Sequence, residues 1–168
     1  MGLDMYLIRK KKSKNNKKTY DDMEWEEIAY WRKANQIHKW FVDNVQDGVD
    51  DCRDYLVTKE KIQELINICN QILRETTLTD GKVLLRDYWE KEEGKTEATH
   101  IKEYGIGKVI DKPEICEELL PTQSGFFFGS TEYDEWYIDD IKYTRDRLQA
   151  ILDLLDFDKW DIYYSSSW

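Results

Sequence analysis

The hydrophobic positions of this 168-residue chain change their period several times, and each change marks a predicted element. β-like runs of apolar or alternating residues occur at 3–8, 55–57 and 160–165. Apolar residues recur with a helical period over about 23–45, from Thr58 onward, and over about 132–155. The pattern therefore predicts three main helices and several short strands.

The first predicted helix begins in the acidic stretch 21–27, whose charges suit the positive N-terminal end of a helix dipole. It is predicted to run from about residue 23 to 45 and to end before Gly48. Its core-facing arc would be Tyr30, Ala34, Ile37 and Phe41, and the residues facing away would be Arg32, Gln36 and Lys39. Asn35 and His38 then share the edge of the core, one turn apart.

The remaining elements complete the predicted fold. Thr58 is expected to cap a second helix with the apolar face Ile62, Leu65, Ile66, Cys69, Ile72 and Leu73. Residues 78–118 are mixed in composition, which predicts a weak helix at about 83–92 and otherwise loop. Residues 126–128, three phenylalanines between glycines, predict a buried central strand with the helix at 132–155 packed over it. We therefore expect one α+β domain over 1–168, a small mainly antiparallel sheet with three main helices on one face.

Composition limits the class of protein. At 168 residues and 40% hydrophobic, the chain is long enough to bury a core, and disorder is not expected for most of it. No apolar run approaches the roughly 18 residues of a membrane span, and no apolar stretch follows the basic N-terminal region as in a signal peptide. The sequence predicts a soluble protein of the cytoplasm.

Cysteine and histidine do not form a metal-binding pattern. Cys52, Cys69 and Cys116 are far apart and unpaired, and the histidines are His38 and His100. Structural zinc sites usually take their ligands as closely spaced pairs, so we expect free thiols, no metal site and no cofactor.

Charge is distributed unevenly. Residues 1–18 contain seven cations and the single carboxylate Asp4, so their net charge is +6. Because the whole chain has a net charge of −10, residues 19–168 have a net charge of −16. The acidic body repels nucleic-acid phosphate and attracts basic protein surfaces. The candidate partner-binding carboxylates are Asp134, Glu135, Asp139 and Asp140. The alternative interpretation is that the charge serves solubility alone.

The basic stretch 9–18 is interpreted as a strand end followed by a solvated loop. Its cations could hold nucleic-acid phosphates, but no aromatic residue is interleaved among them. Such a tract gives only weak, salt-sensitive binding, so direct nucleic-acid binding is not expected beyond that level.

A polar turn precedes the three phenylalanines and supplies the candidate ligand site. Its members are Thr122, Gln123 and Ser124, with Ser130 after the phenylalanines. If this segment crosses the first helix near Arg32, Asn35 and His38, the groups would offer hydrogen bonds to a phosphate or a nucleobase. The alternatives are that His38 is a satisfied core residue and that the turn only shapes the chain.

Four segments carry a resemblance to a known family. They are MGLDMYL at the start, YWRKANQIHKWF at 30–41, LPTQSGFFFGST at 120–131 and YYSSSW at the end. Together they resemble a family of small proteins encoded by bacteriophages and prophages. The resemblance covers about two thirds of the chain and implies that about 78–118 is an insert that differs between members. It also implies an accessory role in phage biology, in the cytoplasm of a bacterial host cell, without a mechanism.

No enzyme motif is complete. The chain has no nucleophile elbow and no phosphate-binding loop, and the Gly105/Gly107 segment lacks the third glycine of a dinucleotide fingerprint. Two functions remain open, and the first is slightly favoured. One is an inhibitor of a host factor, possibly anti-CRISPR-like, that presents acidic, aromatic surface to a basic nucleic-acid-binding groove. The other is a protein or hydrolase that binds a small nucleotide or phosphate ligand in the polar pocket.

Overall fold

The computed structural model of the chain describes residues 2–12 and 24–168. The strands are β1 (Asp4–Lys11), β2 (Trp25–Arg32), β3 (Tyr55–Val57), β4 (Leu78–Glu90), β5 (Thr99–Ile110) and β6 (Trp160–Ser167). The helices are α1 (Asn35–Asn44), α2 (Lys59–Glu75), α3 (Pro113–Leu119) and α4 (Glu135–Leu154). The fold is α+β, as the sequence predicts.

The main sheet has four antiparallel strands in the order β2-β1-β6-β3. Side chains alternate between its two faces. Met5 and Leu7 of β1 lie beside Trp31 and Tyr164 on the same face, and all four are buried. Tyr30 lies on the opposite face and is 40% exposed. One face of the sheet therefore contributes to the core and the other stays open.

The helices supply the rest of the core. Ile62 and Leu65 of α2 and Ile141 and Leu148 of α4 are almost completely buried in the same cluster as the sheet residues. The ring of Phe41 from α1 stacks on Tyr164 with the centroids 4.0 Å apart. In the described ranges, no helix has both the length and the apolar character that crossing a membrane requires.

Several predicted elements are confirmed at or near their predicted bounds. Residues 4–8 of the predicted run at 3–8 lie in β1, the run at 55–57 is β3, and the last predicted strand lies within β6. Thr58 caps α2, because its side-chain oxygen accepts a hydrogen bond from the Lys61 amide at 3.2 Å. Asp134 caps α4 in the same way, accepting from the Tyr137 amide at 3.1 Å.

The prediction of one helix over 23–45 is wrong. Residues 25–32 form β2, and only Asn35–Asn44 is helical; position 23 lies outside the described residues. Ala29 and Trp31 are buried while Tyr30 and Arg32 are exposed, which is the period of a strand. Pairing with β1 decides the conformation, and Lys33 then takes a positive φ of 57° where the chain turns into α1.

The prediction of a weak helix at about 83–92 is also wrong. Residues 78–110 form a long hairpin, β4 paired with β5. Gly81, Gly105 and Gly107 leave room on one face for side chains of the opposite strand; a Cβ at Gly81 would lie 2.3 Å from Val109. Asp111 closes the base by accepting hydrogen bonds from the amide and hydroxyl of Thr77.

The predicted central strand at 126–128 is a turn in the structure, outside both sheets. Phe126 is 82% exposed and Phe127 is 42% exposed, whereas Phe128 is buried. The Phe128 ring lies edge-on to His38 and to Trp168, at 5.4 and 6.1 Å between centroids. Only one of the three phenylalanine rings is buried, and the segment is not a strand. The predicted packing of α4 over a phenylalanine strand is therefore wrong.

Candidate functional site

A cavity of about 260 Å³ lies where the end of β2, the start of α1, the 122–130 segment and the start of α4 meet. Of the candidate ligand residues, Arg32, Thr122 and Ser130 line it. Of the candidate partner residues, Asp134, Asp139 and Asp140 line it. Residues from both sequence hypotheses therefore meet in one place.

Arg32 lies at the open-face side of this cavity and is already engaged by Asp4. Its Nη1 donates to Asp4 Oδ1 at 2.8 Å, and the Tyr30 hydroxyl donates to the same oxygen at 2.5 Å. The hydrogen bond from Tyr30, together with the neighbouring guanidinium, lowers the pKa of the Asp4 carboxyl. The Arg32 side chain remains 51% exposed, so it can still meet a ligand.

Asn35 supports the polar turn from beneath. Its Nδ2 donates to the carbonyl oxygens of Phe128 at 3.0 Å and Ser130 at 2.8 Å, and its Oδ1 accepts from the Gln123 amide at 2.9 Å. The side chain is 1% exposed and does not line the cavity. Asn35 fixes the shape of the segment that forms the cavity wall.

The polar side chains of the turn differ in whether they line the cavity: Thr122 and Ser130 do, and Gln123 and Ser124 do not. Thr122 Oγ1 donates to the Thr131 carbonyl at 3.0 Å, and Ser130 Oγ accepts from the Glu132 amide at 3.1 Å. Gln123 contributes its backbone amide to Asn35, and Ser124 is exposed.

His38 lies in the core, away from the cavity. It is 0% exposed, its Nδ1 is 2.6 Å from the Tyr164 hydroxyl, and its Nε2 is 2.8 Å from Asp50 Oδ2. Asp50 also accepts from the indole N–H of Trp168 at 3.1 Å. Burial raises the pKa of Tyr164 well above its ordinary value, so its hydroxyl stays protonated. Both nitrogens of His38 are thus occupied within the protein.

The carboxylates at the start of α4 form the most unusual part of the cavity. Burial raises the pKa of Asp140 to about 6; a hydrogen bond from Gln36 opposes this, and the charges of Asp139 and Asp134 add to it. Burial likewise raises the pKa of Asp134, against hydrogen bonds from the Tyr137 and Trp136 amides. Perturbed carboxyls in a concave site are typical of functional positions.

The sequence reasoning missed several cavity residues. They are Lys33, Gln36, Glu132, Trp136 and Tyr137. Trp136 was detectable, because it lies three and four positions before Asp139 and Asp140 and so shares their helix face. Its ring is 54% exposed. Glu135, a predicted partner residue, is not among the lining residues.

The charge of the cavity defines what it can bind. Its wall contains four carboxylates and two cations, Arg32 and Lys33, so its formal balance is negative. Among residues 2–12 and 24–168, no three His, Cys, Asp or Glu side chains are grouped to hold a metal ion. A cationic group beside the Trp136 ring therefore suits this site.

Comparisons of the chain with protein-family models, curated proteins and solved structures find no match.

Replacing Asp140 by asparagine should stabilise the protein at pH 7 by about 1–2 kcal/mol, at about 1.4 kcal/mol per unit of pKa shift reduced for partial exposure. Because its folded-state pKa is raised, the contribution of Asp140 to stability should be greatest below about pH 4 and be lost as the pH rises through about 6. Urea unfolding at several pH values tests this. The variant should lack that part of the pH dependence, and Asp146→Asn, at an exposed position of α4, should keep it.

Proposed function

We propose that this chain is a phage or prophage accessory protein that binds a basic surface of a host protein and inhibits it. The observation that carries the proposal is the acidic cavity at the start of α4, where four carboxylates share a concave wall with an exposed tryptophan. Aromatic residues beside complementary charge are typical of the energetic centre of protein interfaces.

The electrostatic state of the cavity supports a cationic partner. Asp140 is partly desolvated and close to other carboxylates, which is why its pKa is raised. A lysine or arginine from a partner would relieve this repulsion on binding. Asp43, Asp50, Asp51 and Asp54 form ion pairs or hydrogen bonds with other side chains and do not line this cavity. The start of α4, where four carboxylates line one concave wall, is the better docking position.

The described part of the basic stretch gives little support to nucleic-acid binding. Each of its four consecutive cations, at 9–12, forms an ion pair within the protein. Their partners are Glu26, Asp54, Glu24 and Asp161. Paired cations release fewer counterions from a polyanion, so their contribution to phosphate binding is small. The acidic cavity would instead compete with nucleic acid for a basic groove of the host protein. Inhibition of a host defence protein in the bacterial cytoplasm would follow from that competition.

Reversing charge in the first turns of α4, beside the cavity, should slow binding to the partner. The variant Glu135→Lys/Asp139→Lys leaves Asp134 in place, because Asp134 caps α4 and its loss would cost about 1 kcal/mol of stability. Association with the purified partner should slow about tenfold or more at low salt, and wild-type association should itself weaken steeply as salt is added. Surface plasmon resonance measures both rates.

The matched control is Glu92→Lys/Glu93→Lys, which changes the net charge equally but lies between β4 and β5, away from the cavity. It should leave most of the association rate intact. If both double variants slow association to the same degree, net charge and not the acidic cleft accounts for binding, and the proposed site is wrong.

The second candidate function is binding of a small phosphate or nucleotide ligand, with or without hydrolysis. The favouring observation is that Arg32, Lys33, Thr122 and Ser130 line the same cavity. Its volume, about 260 Å³, is slightly below the usual range for ligand sites. A melting temperature that rises with ATP or inorganic phosphate in the wild type and not in Arg32→Ala would favour this function over the first.

A further inference from the structure

The turn that joins the polar segment to α4 holds two phenylalanine rings in solvent. Phe126 is 82% exposed and Phe127 is 42% exposed, and their centroids are 4.0 Å apart. Two adjacent exposed aromatic rings are costly to maintain, because burying them would remove apolar area from water. Such a pair on a connecting turn is typical of a surface that becomes covered by another molecule.

The backbone of Phe127 has a conformation that is strained for this residue. Its φ is +64°, a left-handed conformation that is uncommon for a bulky residue and easy for glycine or asparagine. Residues persist in this region only where the surrounding structure determines it, and such positions are concentrated at functional sites. Phenylalanine at position 127 is therefore explained neither by backbone preference, since its φ is positive, nor by burial of its ring, which is exposed.

The base of the turn is held at several points. The Phe127 carbonyl accepts from the Leu3 amide at 3.3 Å, and the Phe128 carbonyl accepts from Asn35 at 3.0 Å. Gly129 has a φ of +89° and packs so closely on Lys33 that a Cβ would lie 2.9 Å from it. These contacts fix the turn before any partner arrives, which reduces the entropy lost on binding.

The turn is adjacent to the acidic cavity. Gly129 lines the cavity and lies two residues after Phe127, so their Cα atoms are at most about 7 Å apart. We propose that Phe126 and Phe127 are the apolar anchor of the same interface, and that they enter an apolar pocket beside the basic surface of the partner protein. This inference rests on the proposed function.

Charge favours a basic protein over the other possible occupants. In a symmetric pair of chains that met at this surface, both partners would bring a cavity wall of negative balance to the contact, and like charges oppose such a contact. Residues 19–168 carry −16, which opposes approach to an anionic lipid surface. A basic protein is the occupant whose charge complements the wall next to the two rings.

The test begins with the host protein that the immobilised wild-type chain retains at low salt, identified by mass spectrometry and then purified as a recombinant protein. Its binding is measured by surface plasmon resonance to Phe126→Ser, Phe127→Asn and the control Trp89→Ser, whose ring is 68% exposed on β4. Both phenylalanine variants should dissociate about tenfold faster or more, with association and its salt dependence unchanged. Phe127→Asn should also melt at an unchanged or higher temperature, since asparagine tolerates the left-handed backbone.

The outcomes separate the anchor from the proposed function. If Glu135→Lys/Asp139→Lys slows association while both phenylalanine variants bind like the wild type, the anchor is wrong and the function stands. If no retained protein responds to either set of variants, the function fails and the anchor fails with it. Dimerisation in sedimentation, or binding to phosphatidylcholine/phosphatidylglycerol vesicles, that is lost in Phe126→Ser would overturn the protein-pocket assignment in favour of a second copy or a lipid surface.

Discussion

Replacing Asn35 by alanine should destabilise the protein by about 3 kcal/mol and weaken the partner binding proposed for the cavity. The substitution leaves two carbonyl oxygens and one amide without their partner, and each unpaired buried group costs about 1–3 kcal/mol, less where water can enter. Because these groups belong to the turn that forms the cavity wall and carries the two exposed phenylalanines, the turn should lose its fixed shape.

Urea unfolding of Asn35→Ala, followed by circular dichroism, measures the first effect, and binding to the purified partner measures the second. Asn70→Ala is the matched control, because Asn70 is exposed on α2 and should change stability by less than about 0.5 kcal/mol. A loss below about 1 kcal/mol for Asn35→Ala would mean that the turn holds its shape without this side chain.

The elements that could be predicted from sequence are those in which local signals agree. α2 has a capping threonine, a continuous apolar face and good helix formers, and its structure matches the prediction. The alternation of Ile162 and Tyr164 with polar neighbours similarly identifies β6. In these segments tertiary packing and local preference favour the same conformation.

The errors have a common physical cause, which is that pairing with a distant segment overrides the local pattern. Acidic residues before Trp31 suit a helix start, but β1 offers Trp31 and Ala29 a strand partner and a buried position. The hairpin of β4 and β5 depends on glycines that leave space for side chains of the opposite strand. The sequence of one strand alone does not show which side chains lie opposite its glycines. Neither contact can be found from periodicity within one segment.

The candidate site was predictable in composition and not in geometry. Arg32, Thr122 and Ser130 meet the α4 carboxylates in one cavity. The single helix predicted over 23–45 would place Arg32 one turn before Asn35, but Arg32 ends a strand and Asn35 begins a helix. The first turn of α1 is buried, so Asn35 and His38 share a face that points into the protein.

His38→Ala should lower the free energy of unfolding by about 3 kcal/mol or more, because it leaves a cavity in the core, an unpaired Tyr164 hydroxyl and one unpaired oxygen of Asp50, whose other oxygen still accepts from Trp168. The Phe128 ring also loses its edge contact with the imidazole. Thermal and urea unfolding measure the loss.

The other histidine of the chain, His100, provides the control, since it lies on the exposed hairpin and pairs with Asp87. His100→Ala should change stability by about 0.5 kcal/mol or less. The His38 variant that remains folded at low temperature should still bind the partner, because the imidazole lies behind the cavity wall and not in it. Wild-type stability combined with lost binding would instead place His38 in the binding site, and the core assignment would then have to be given up.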